Sequence, residues 1–305
     1  MTPLTGLVGV GSMGGHLAAN LLARGYPLIV CDTDPAALRT LQASGAQIAP
    51  TAREIAAQAE TVLICLPTLD AIREVALGEH GLCHGNVIST CINCCTAGPS
   101  FIREIAEGLD PKRVTLLDCP ITGGAKGASE GTLSITVSGD KGTFERARPL
   151  LDHLASHVFY VGDEPGQAQM MKLLNNMLSF AAFVASCEAF SLGAKAGLDP
   201  DAMVDVINTG TGRNSATTHK FPNNILPRTF DYGAKMLISF KDITLFLEEA
   251  ERLGVPTWLA PVIKQVIGFA ISQDGEHADV STLVKHYEKW CGIEIVGLAA
   301  RSNSK

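Results

Sequence analysis

Three glycines near the N-terminus have the spacing of a phosphate-binding turn. The segment Gly9-Val10-Gly11-Ser12-Met13-Gly14 matches the pattern GxGxxG. In that pattern the first glycine permits a tight turn, the second lets the backbone approach a pyrophosphate, and the third allows close helix–strand packing. A pyrophosphate there would meet the free N–H groups at a helix start. The alternative is a glycine turn in an unrelated α/β protein. In the preferred interpretation, the pattern predicts dinucleotide contacts at Gly9, Gly11, Ser12, Met13 and Gly14.

An acidic residue stands where such a site holds the adenosine ribose. Asp32 follows the second predicted strand, about 20 residues beyond the glycine pattern. Its carboxylate would accept a hydrogen bond from the ribose 2′-hydroxyl and would repel the 2′-phosphate of NADP. The next residues, Thr33-Asp34-Pro35, supply no arginine. The sequence therefore favours NAD as the cofactor over NADP.

The elements that must position this turn alternate between strands and helices. Apolar runs predict strands, and periodic apolar patterns predict helices at residues 12–24 and 35–44. The predicted strands cover residues 6–9, 28–32, 61–66, 87–93, 114–118, 133–138 and 157–161. Strands separated by helices imply right-handed crossovers and a mainly parallel sheet. We assign residues 1–163 to an α/β Rossmann domain that binds NAD.

The pattern changes after Gly162. One apolar-periodic stretch covers residues 167–197 without a proline, and a new helix is predicted to start at Asp199-Pro200. Further helices are predicted at residues 240–254, 257–273 and 277–290. Residues 164–305 are therefore expected to form an all-helical substrate and oligomerisation domain, joined to the first domain by a long helix.

Several further motifs follow the glycine turn in order. They are Gly15-His16-Leu17-Ala18-Ala19-Asn20-Leu21, Asp118-Cys119-Pro120-Ile121-Thr122-Gly123-Gly124, Lys172-Leu173-Leu174-Asn175-Asn176, Lys241-Asp242 and His286-Tyr287-Glu288-Lys289. With these motifs the chain resembles the β-hydroxyacid dehydrogenases, the family of 3-hydroxyisobutyrate dehydrogenase and tartronate semialdehyde reductase, over almost its whole length. The resemblance implies a Rossmann domain, a helical domain and an active site in the cleft between them. It also implies hydride transfer between the nicotinamide cofactor and a small 3-hydroxy acid, or its semialdehyde in reverse.

The same resemblance assigns roles around the reacting carbon. It makes Lys172 the general acid/base, and it gives Asn176, four residues later on the same helical face, the task of fixing the substrate and the lysine. Thr122, Gly123 and Gly124 would bind the substrate carboxylate through a hydroxyl and backbone N–H groups. The family more often has serine at position 122, so the added methyl group is expected to change the shape of the pocket.

Other family positions would contact the cofactor. Leu66 and Pro67 at the end of the third predicted strand would line it, while Thr96 and Lys241 would lie near the nicotinamide. Asn93-Cys94-Cys95 departs from the family's usual acidic and serine pattern just before Thr96. Arg213 falls in a loop between helices, where it is either a carboxylate clamp or an ordinary surface residue.

Composition and charge argue against several kinds of partner. The chain has 305 residues and a formal net charge of −7, with no basic run, which argues against nucleic acid as a partner. The odd number of cysteines, nine, suits a reducing compartment, and no second pair accompanies Cys91, Cys94 and Cys95 as a zinc site would need. We therefore expect no metal and no membrane partner, since the apolar run at residues 181–190 is short. The expected location is the cytoplasm, because the N-terminus lacks a basic signal region.

Three alternatives to a hydroxy acid dehydrogenase remain at this point. An imine or keto-acid reductase on the same scaffold, or a non-catalytic dinucleotide-binding module, would usually lack a lysine at position 172. A 6-phosphogluconate-type enzyme would need a longer chain and a basic cluster. The long helix with Phe180, Phe183 and Phe190 is more apolar than a small helical domain can cover, so we expect a homodimer or homotetramer.

Overall fold

A computed structural model describes residues 3–302 and divides the chain into two compact units, with the division between Lys172 and Leu173. The sequence-based boundary after residue 163 stays a prediction, because the compact units divide nine residues later. The difference lies in one helix, whose first residues pack within the first unit.

The first unit contains nine strands among the described residues, all in one sheet. Their bounds are β1 Thr5–Val8, β2 Leu28–Cys31, β3 Gln47–Ile48, β4 Thr61–Ile64, β5 Thr90–Asn93, β6 Thr115–Asp118, β7 Ile121–Thr122, β8 Leu133–Ser138 and β9 Ala155–Gly162. The strand order is β3-β2-β1-β4-β5-β6-β8-β7, and β9 pairs with β8. The order reverses at β1, between β2 and β4, which is where doubly wound sheets bind ligands.

The predicted parallel sheet is confirmed for β1 to β6, which pair in parallel. Beyond β6 the sheet is mixed, since β8 runs antiparallel to both β6 and β7. The short strand β7 was not predicted, because two residues are too few to show an alternating pattern.

Helices cover both faces of this sheet. They are α1 Gly14–Ala23, α2 Pro35–Ala43, α3 Ala52–Ala56, α4 Leu69–Leu77, α5 Pro99–Leu109, α6 Gly124–Glu130 and α7 Lys141–Asp152, with 3₁₀ turns at Leu82–His84 and Asp110–Lys112. Successive residues of β1 face opposite sides: Leu7 packs in the core with Leu17 of α1, and Val8 packs in the core with Ile55 of α3. Burial on both faces explains why the strands are apolar throughout.

The second unit is helical, as predicted. Its helices are α8, which spans Gln167–Lys195 and begins in the first unit, then α9 Pro200–Thr209, the π-helix Ala216–Ile225, α10 Met236–Arg252, α11 Ala260–Asp274, a 3₁₀ turn Val280–Leu283, α12 Val284–Cys291 and α13 Leu298–Ser302. The core includes Phe190 and Phe221, whose rings stack with centroids 3.9 Å apart. The helix predicted at residues 277–290 begins later, because Asp279 accepts a hydrogen bond from Ser281 N and caps the 3₁₀ turn.

Helix α8 has 29 residues and, among the described residues, is the one helix long and apolar enough by composition to cross a membrane. Core helices of soluble proteins pass the same test. Phe183, Cys187 and Phe190 of α8 are buried against neighbouring helices of the second unit. These residues of α8 therefore belong to the core of the second unit.

Candidate active site

The glycine turn after β1 has the geometry that its pattern predicts. Gly9 has a φ of +89°, and a side chain there would collide with the carbonyl oxygen of Cys65. A side chain at Gly14 would collide with the carbonyl oxygen of Gly9, so the start of α1 packs directly on the turn. A side chain at Gly11 would meet no atom within 4 Å. The turn is therefore closed at two glycines and open at the one that faces a pyrophosphate in this motif.

The start of α1 is suited to an anion. Met13 occupies the N-cap position, and among residues 3–302 no side chain caps the helix there. In the first helical turn, Gly15 N donates to Gly11 O at 2.8 Å, and the N–H groups of this end carry the positive end of the helix dipole. Ser12 is exposed beside them. The dinucleotide contacts at this end of the helix stay a prediction.

Asp32 lies directly after β2 and bonds back to the glycine turn. Its Oδ2 accepts a hydrogen bond from Val10 N at 2.6 Å, and its Oδ1 accepts one from Asp34 N at 2.8 Å. Each carboxylate oxygen can accept a second hydrogen bond, and the side chain is only half-buried. Asp32 is therefore fixed in direction and still able to accept from a ribose hydroxyl.

The loops after β4 and β5 border the same edge of the sheet, because β4 pairs with β1 and β5 pairs with β4. Leu66 N donates a hydrogen bond to Cys95 Sγ at 3.1 Å, which ties the two loops together. Pro67 is exposed and Thr96 is half-buried. The unusual cysteine at position 95 thus has a structural contact in the loop that carries Thr96.

Thr122 and Lys172 meet within the first unit although 50 positions separate them in the sequence. Lys172 Nζ donates a hydrogen bond to Thr122 Oγ1 at 3.1 Å. Thr122 ends β7, and Gly123 and Gly124 follow with φ values of +130° and +65°, which glycine adopts without strain. An amine, a hydroxyl and the N–H groups of a glycine turn can together exchange a proton and hold an anion.

A second cluster of sequence-predicted residues lies within the second unit. Asn176 Nδ2 donates a hydrogen bond of 2.6 Å to Asp242 Oδ2, and Lys241 Nζ lies 2.9 Å from Asp242 Oδ1. The contact with Lys241 is an ion pair without hydrogen-bond geometry. Asp242 is 2% exposed. This one buried carboxylate contacts both Asn176, which is predicted to orient the substrate, and Lys241, which is predicted to contact the cofactor.

Asp118 and Gln169 were not identified from the sequence as parts of the site. Asp118, at the end of β6, is fully buried and accepts hydrogen bonds from Gln169 N at 3.0 Å, Gln169 Nε2 at 2.6 Å and Asn93 Nδ2 at 3.3 Å. Burial raises the pKa of Asp118 to about 6, and these hydrogen bonds act in the opposite direction. The signal that could have identified Gln169 was a polar residue three positions before Lys172, on the same face of the predicted helix.

The remaining candidates stand apart from these contacts. Arg213 is exposed in the loop between α9 and the π-helix, so its part in substrate binding stays a prediction. Burial raises the pKa of the Cys91 thiol to about 12 and that of Cys94 well above its usual value, as expected of packed thiols. Within residues 3–302, no group of three or more His, Cys, Asp or Glu side chains could hold a metal ion.

A doubly wound sheet with an open glycine turn and an acid after β2 is typical of a dinucleotide-binding domain. Comparison with family models agrees. Residues 5–162 match the NAD-binding domain of 6-phosphogluconate dehydrogenase, and residues 166–287 match the NAD-binding domain of NADP-dependent 3-hydroxyisobutyrate dehydrogenase.

Individual relatives narrow the class. The 3-hydroxyisobutyrate dehydrogenase of Pseudomonas aeruginosa is 34% identical over 92% of this chain and 97% of its own length. The 2-(hydroxymethyl)glutarate dehydrogenase of Eubacterium barkeri is 29% identical over 96% and 97%. The Mycobacterium tuberculosis 3-hydroxyisobutyrate dehydrogenase solved with L-serine is 28% identical with a TM-score of 0.86, covering 94% of this chain and 99% of that one.

The chain belongs to the β-hydroxyacid dehydrogenase family, and it is an NAD(P)-dependent oxidoreductase that acts on hydroxy acids. An imine reductase from Myxococcus stipitatus, at 17% identity and a TM-score of 0.64, shares the fold alone.

Proposed function

We propose that the enzyme uses NAD to oxidise a small 3-hydroxy acid, or to reduce the corresponding semialdehyde, with Lys172 as the general acid/base. The hydrogen bond from Lys172 Nζ to Thr122 Oγ1 carries this proposal. It joins a side chain that can exchange the proton to a turn that can hold the carboxylate.

Each residue then has a defined task. In the oxidising direction neutral Lys172 takes the proton of the substrate hydroxyl, and in reverse its ammonium returns that proton to the carbonyl oxygen. The Thr122 hydroxyl and the N–H groups of Gly123 and Gly124 bind the substrate carboxylate. Asn176 orients the substrate, with its amide held by Asp242 at 2.6 Å. The nicotinamide supplies the hydride acceptor or donor when it is bound.

Support for NAD comes from the acidic residue after β2. Asp32 stands where such a site holds the ribose 2′-hydroxyl, and its carboxylate is held by two backbone N–H groups. Its negative charge repels a 2′-phosphate and leaves the ribose hydroxyl as the preferred partner. The proposed cofactor contacts also include Leu66, Pro67, Thr96 and Lys241.

Support for a small, branched or polar 3-hydroxy acid comes from the relatives named above, which act on 3-hydroxyisobutyrate and 2-(hydroxymethyl)glutarate. In all such substrates one carbon atom separates the carboxylate carbon from the carbon that carries the hydroxyl group. This short separation suits a site in which the turn binds the carboxylate and the neighbouring amine exchanges the hydroxyl proton.

The test is absorbance of the reduced cofactor with NAD and NADP run separately. The substrates would be 3-hydroxyisobutyrate, 3-hydroxypropionate, 2-(hydroxymethyl)glutarate, L-serine, glycerate, threonate and 4-hydroxybutyrate. We expect turnover with NAD that falls at least about 100-fold in Lys172→Ala, because a general acid/base contributes two to four orders of magnitude. Lys195→Ala, an exposed lysine at the other end of α8, should keep wild-type rates.

The outcomes separate the parts of the proposal. Turnover that survives Lys172→Ala would overturn the assignment of the acid/base while leaving the enzyme class intact. Equal rates with NADP would overturn the role of Asp32. Turnover of 4-hydroxybutyrate alone would overturn the 3-hydroxy acid.

We also propose a cytoplasmic homo-oligomer, a dimer or a tetramer. Leu174, Leu178 and Leu192 lie in one stripe along α8 and are 41%, 71% and 73% exposed, although they are large and apolar. A second copy of the chain would cover this stripe. The cysteines of the described chain are all free thiols, in keeping with a reducing compartment. Light scattering that gives the 32.2 kDa monomer mass would overturn the oligomer.

A further inference from the structure

Gln169 is the third residue of α8 and is fully buried, at 0% exposure. Its side-chain oxygen accepts hydrogen bonds from Ala97 N at 2.8 Å and Gly98 N at 3.1 Å. Its side-chain nitrogen donates to Asp118 Oδ1 at 2.6 Å and to Cys95 O at 2.9 Å. A glutamine amide has two lone pairs and two N–H groups, so this one is fully used.

These four bonds join three separate parts of the first unit. The loop 95–98 follows β5 and carries Thr96, which is proposed to contact the nicotinamide. Asp118 ends β6, four residues before Thr122. Gln169 itself lies three residues before Lys172 on the same helical face. One side chain therefore links the segments that carry the proposed cofactor contact, the carboxylate turn and the acid/base.

An apolar side chain of the same length would fill the space, but it would leave the backbone N–H groups of Ala97 and Gly98 and the carbonyl of Cys95 without these partners. Burial of such groups is unfavourable unless their bonds are made. A saturated amide, by contrast, fixes direction as well as distance, because each hydrogen bond weakens steeply away from its preferred angle.

We propose that Gln169 is a positioning residue, which sets Lys172 and the loop 95–98 in one fixed arrangement through its bonds to Asp118, Ala97 and Gly98. The proposal rests on the function proposed above. It predicts that loss of these bonds lowers the rate of the chemical step, because reacting groups misplaced by about 1 Å can lose a hundredfold in rate.

The first test is Gln169→Met, which keeps the length of the side chain and removes its bonds. We expect kcat to fall at least about tenfold, while KM for the hydroxy acid changes less than about threefold, since the carboxylate turn keeps its own residues. Backbone amides 97 and 98 should exchange hydrogen faster, measured by mass spectrometry of a peptide that spans them, because they lose their acceptor.

The matched control is Asn208→Leu in the second unit. Asn208 also uses both ends of its amide, donating to Thr217 O at 3.0 Å and accepting from Thr217 Oγ1 at 2.7 Å. This variant should lose thermal stability and keep the wild-type kcat and the wild-type exchange at residues 97 and 98. Equal loss of kcat in both variants, per folded molecule, would mean that Gln169 has a general structural role.

A second variant covers the case in which Gln169→Met does not fold. In Gln169→Glu a protonated carboxyl can accept from Ala97 and Gly98 and donate to Asp118, whereas an ionised one repels the Asp118 carboxylate. The titratable groups nearby are Asp118, the amine of Lys172 one turn further along α8, and the thiols of Cys91, Cys94, Cys95 and Cys119. We expect the ratio of variant to wild-type kcat to rise about tenfold from pH 8 to pH 6, which is the sense expected of a group that must be protonated.

The results distinguish this inference from the proposed function. A wild-type enzyme with no turnover, or with turnover that survives Lys172→Ala, would overturn the proposed function and the positioning role with it. Wild-type turnover that depends on Lys172, together with a wild-type kcat in Gln169→Met or a flat ratio in Gln169→Glu, would overturn the positioning role alone.

Discussion

Two buried aspartates, Asp118 in the first unit and Asp242 in the second, hold side chains of the proposed site or its supports, and their partners differ in kind. Asp118 receives its hydrogen bonds from amides, those of Gln169 and Asn93. Asp242 receives one from the amide of Asn176 and also pairs with the cation of Lys241. The first is a buried charge held by dipoles, and the second is half of a neutral pair.

This difference separates two ways of holding a side chain in place. Dipoles orient a carboxylate but compensate only part of its lost hydration, so the pKa of Asp118 is raised to about 6. A cation compensates the charge directly, but removal of that cation then leaves the buried carboxylate uncompensated. The first unit should therefore respond to pH, and the second to the loss of a partner.

The largest effect is expected from Asp242→Ala. The change removes the charge beside Lys241 and the acceptor for Asn176. We expect kcat/KM to fall about 100-fold, because a displacement of about 1 Å in positioning residues can cost that much in rate. Asp242→Asn keeps an oxygen that can accept from Asn176 and should lose less. A wild-type kcat/KM in the alanine variant would remove the contrast between the two aspartates.

A smaller effect should distinguish Asp118 by its pH dependence. Its pKa is raised from 3.8 in the unfolded chain to about 6 in the fold, so the folded state binds the proton more tightly. The free energy of unfolding should therefore rise as pH falls through 6 toward 4, by about 2 kcal/mol relative to Asp118→Asn.

Urea unfolding of both proteins at pH 7, 6, 5 and 4 measures this difference. Cys91 and Cys119 stay protonated over the whole range, because burial raises the pKa of both thiols. Parallel stability curves would show that Asp118 does not titrate in that range.

The smallest effect on stability is expected when both members of the second pair are replaced. In Lys241→Met with Asp242→Asn, neither the buried carboxylate nor its cation remains, and such double replacements are often close to neutral. We expect a free energy of unfolding within about 1 kcal/mol of wild type, with NAD binding still weakened because the proposed cofactor lysine is absent. A double variant less stable than Asp242→Ala would show that the pair itself stabilises the unit.

The fold was largely predictable because its strands and helices have strong apolar periodicity. Helices α4, α5 and α7 were expected only as connections between strands and were not located, although they are amphipathic. The other elements that the sequence did not reveal lack such a period. Strands β3 and β7 have two residues each, and the π-helix Ala216–Ile225 contains Pro222 and polar residues on most of its turns.

The site divides in the same way. The glycine turn and Asp32 are local patterns of known spacing, so they could be read directly. The bond between Lys172 and Thr122 depends on how 50 residues fold, and Gln169 looks like an ordinary polar residue near a helix start. The family resemblance named Lys172 and Thr122 as site residues, whereas their contact and the role of Gln169 became visible only in the structure.

The open space beside Gly11 has a consequence for the cell that carries this enzyme. A larger residue at Gly14 collides with the backbone, so such a variant would unfold more often and be removed by proteases, which lowers its abundance. A larger residue at Gly11 meets no protein atom within 4 Å and would leave the fold intact while it blocks the pyrophosphate. Two mutations three codons apart would thus produce opposite phenotypes at the protein level: scarce enzyme in one strain, and a full complement of inactive enzyme in the other.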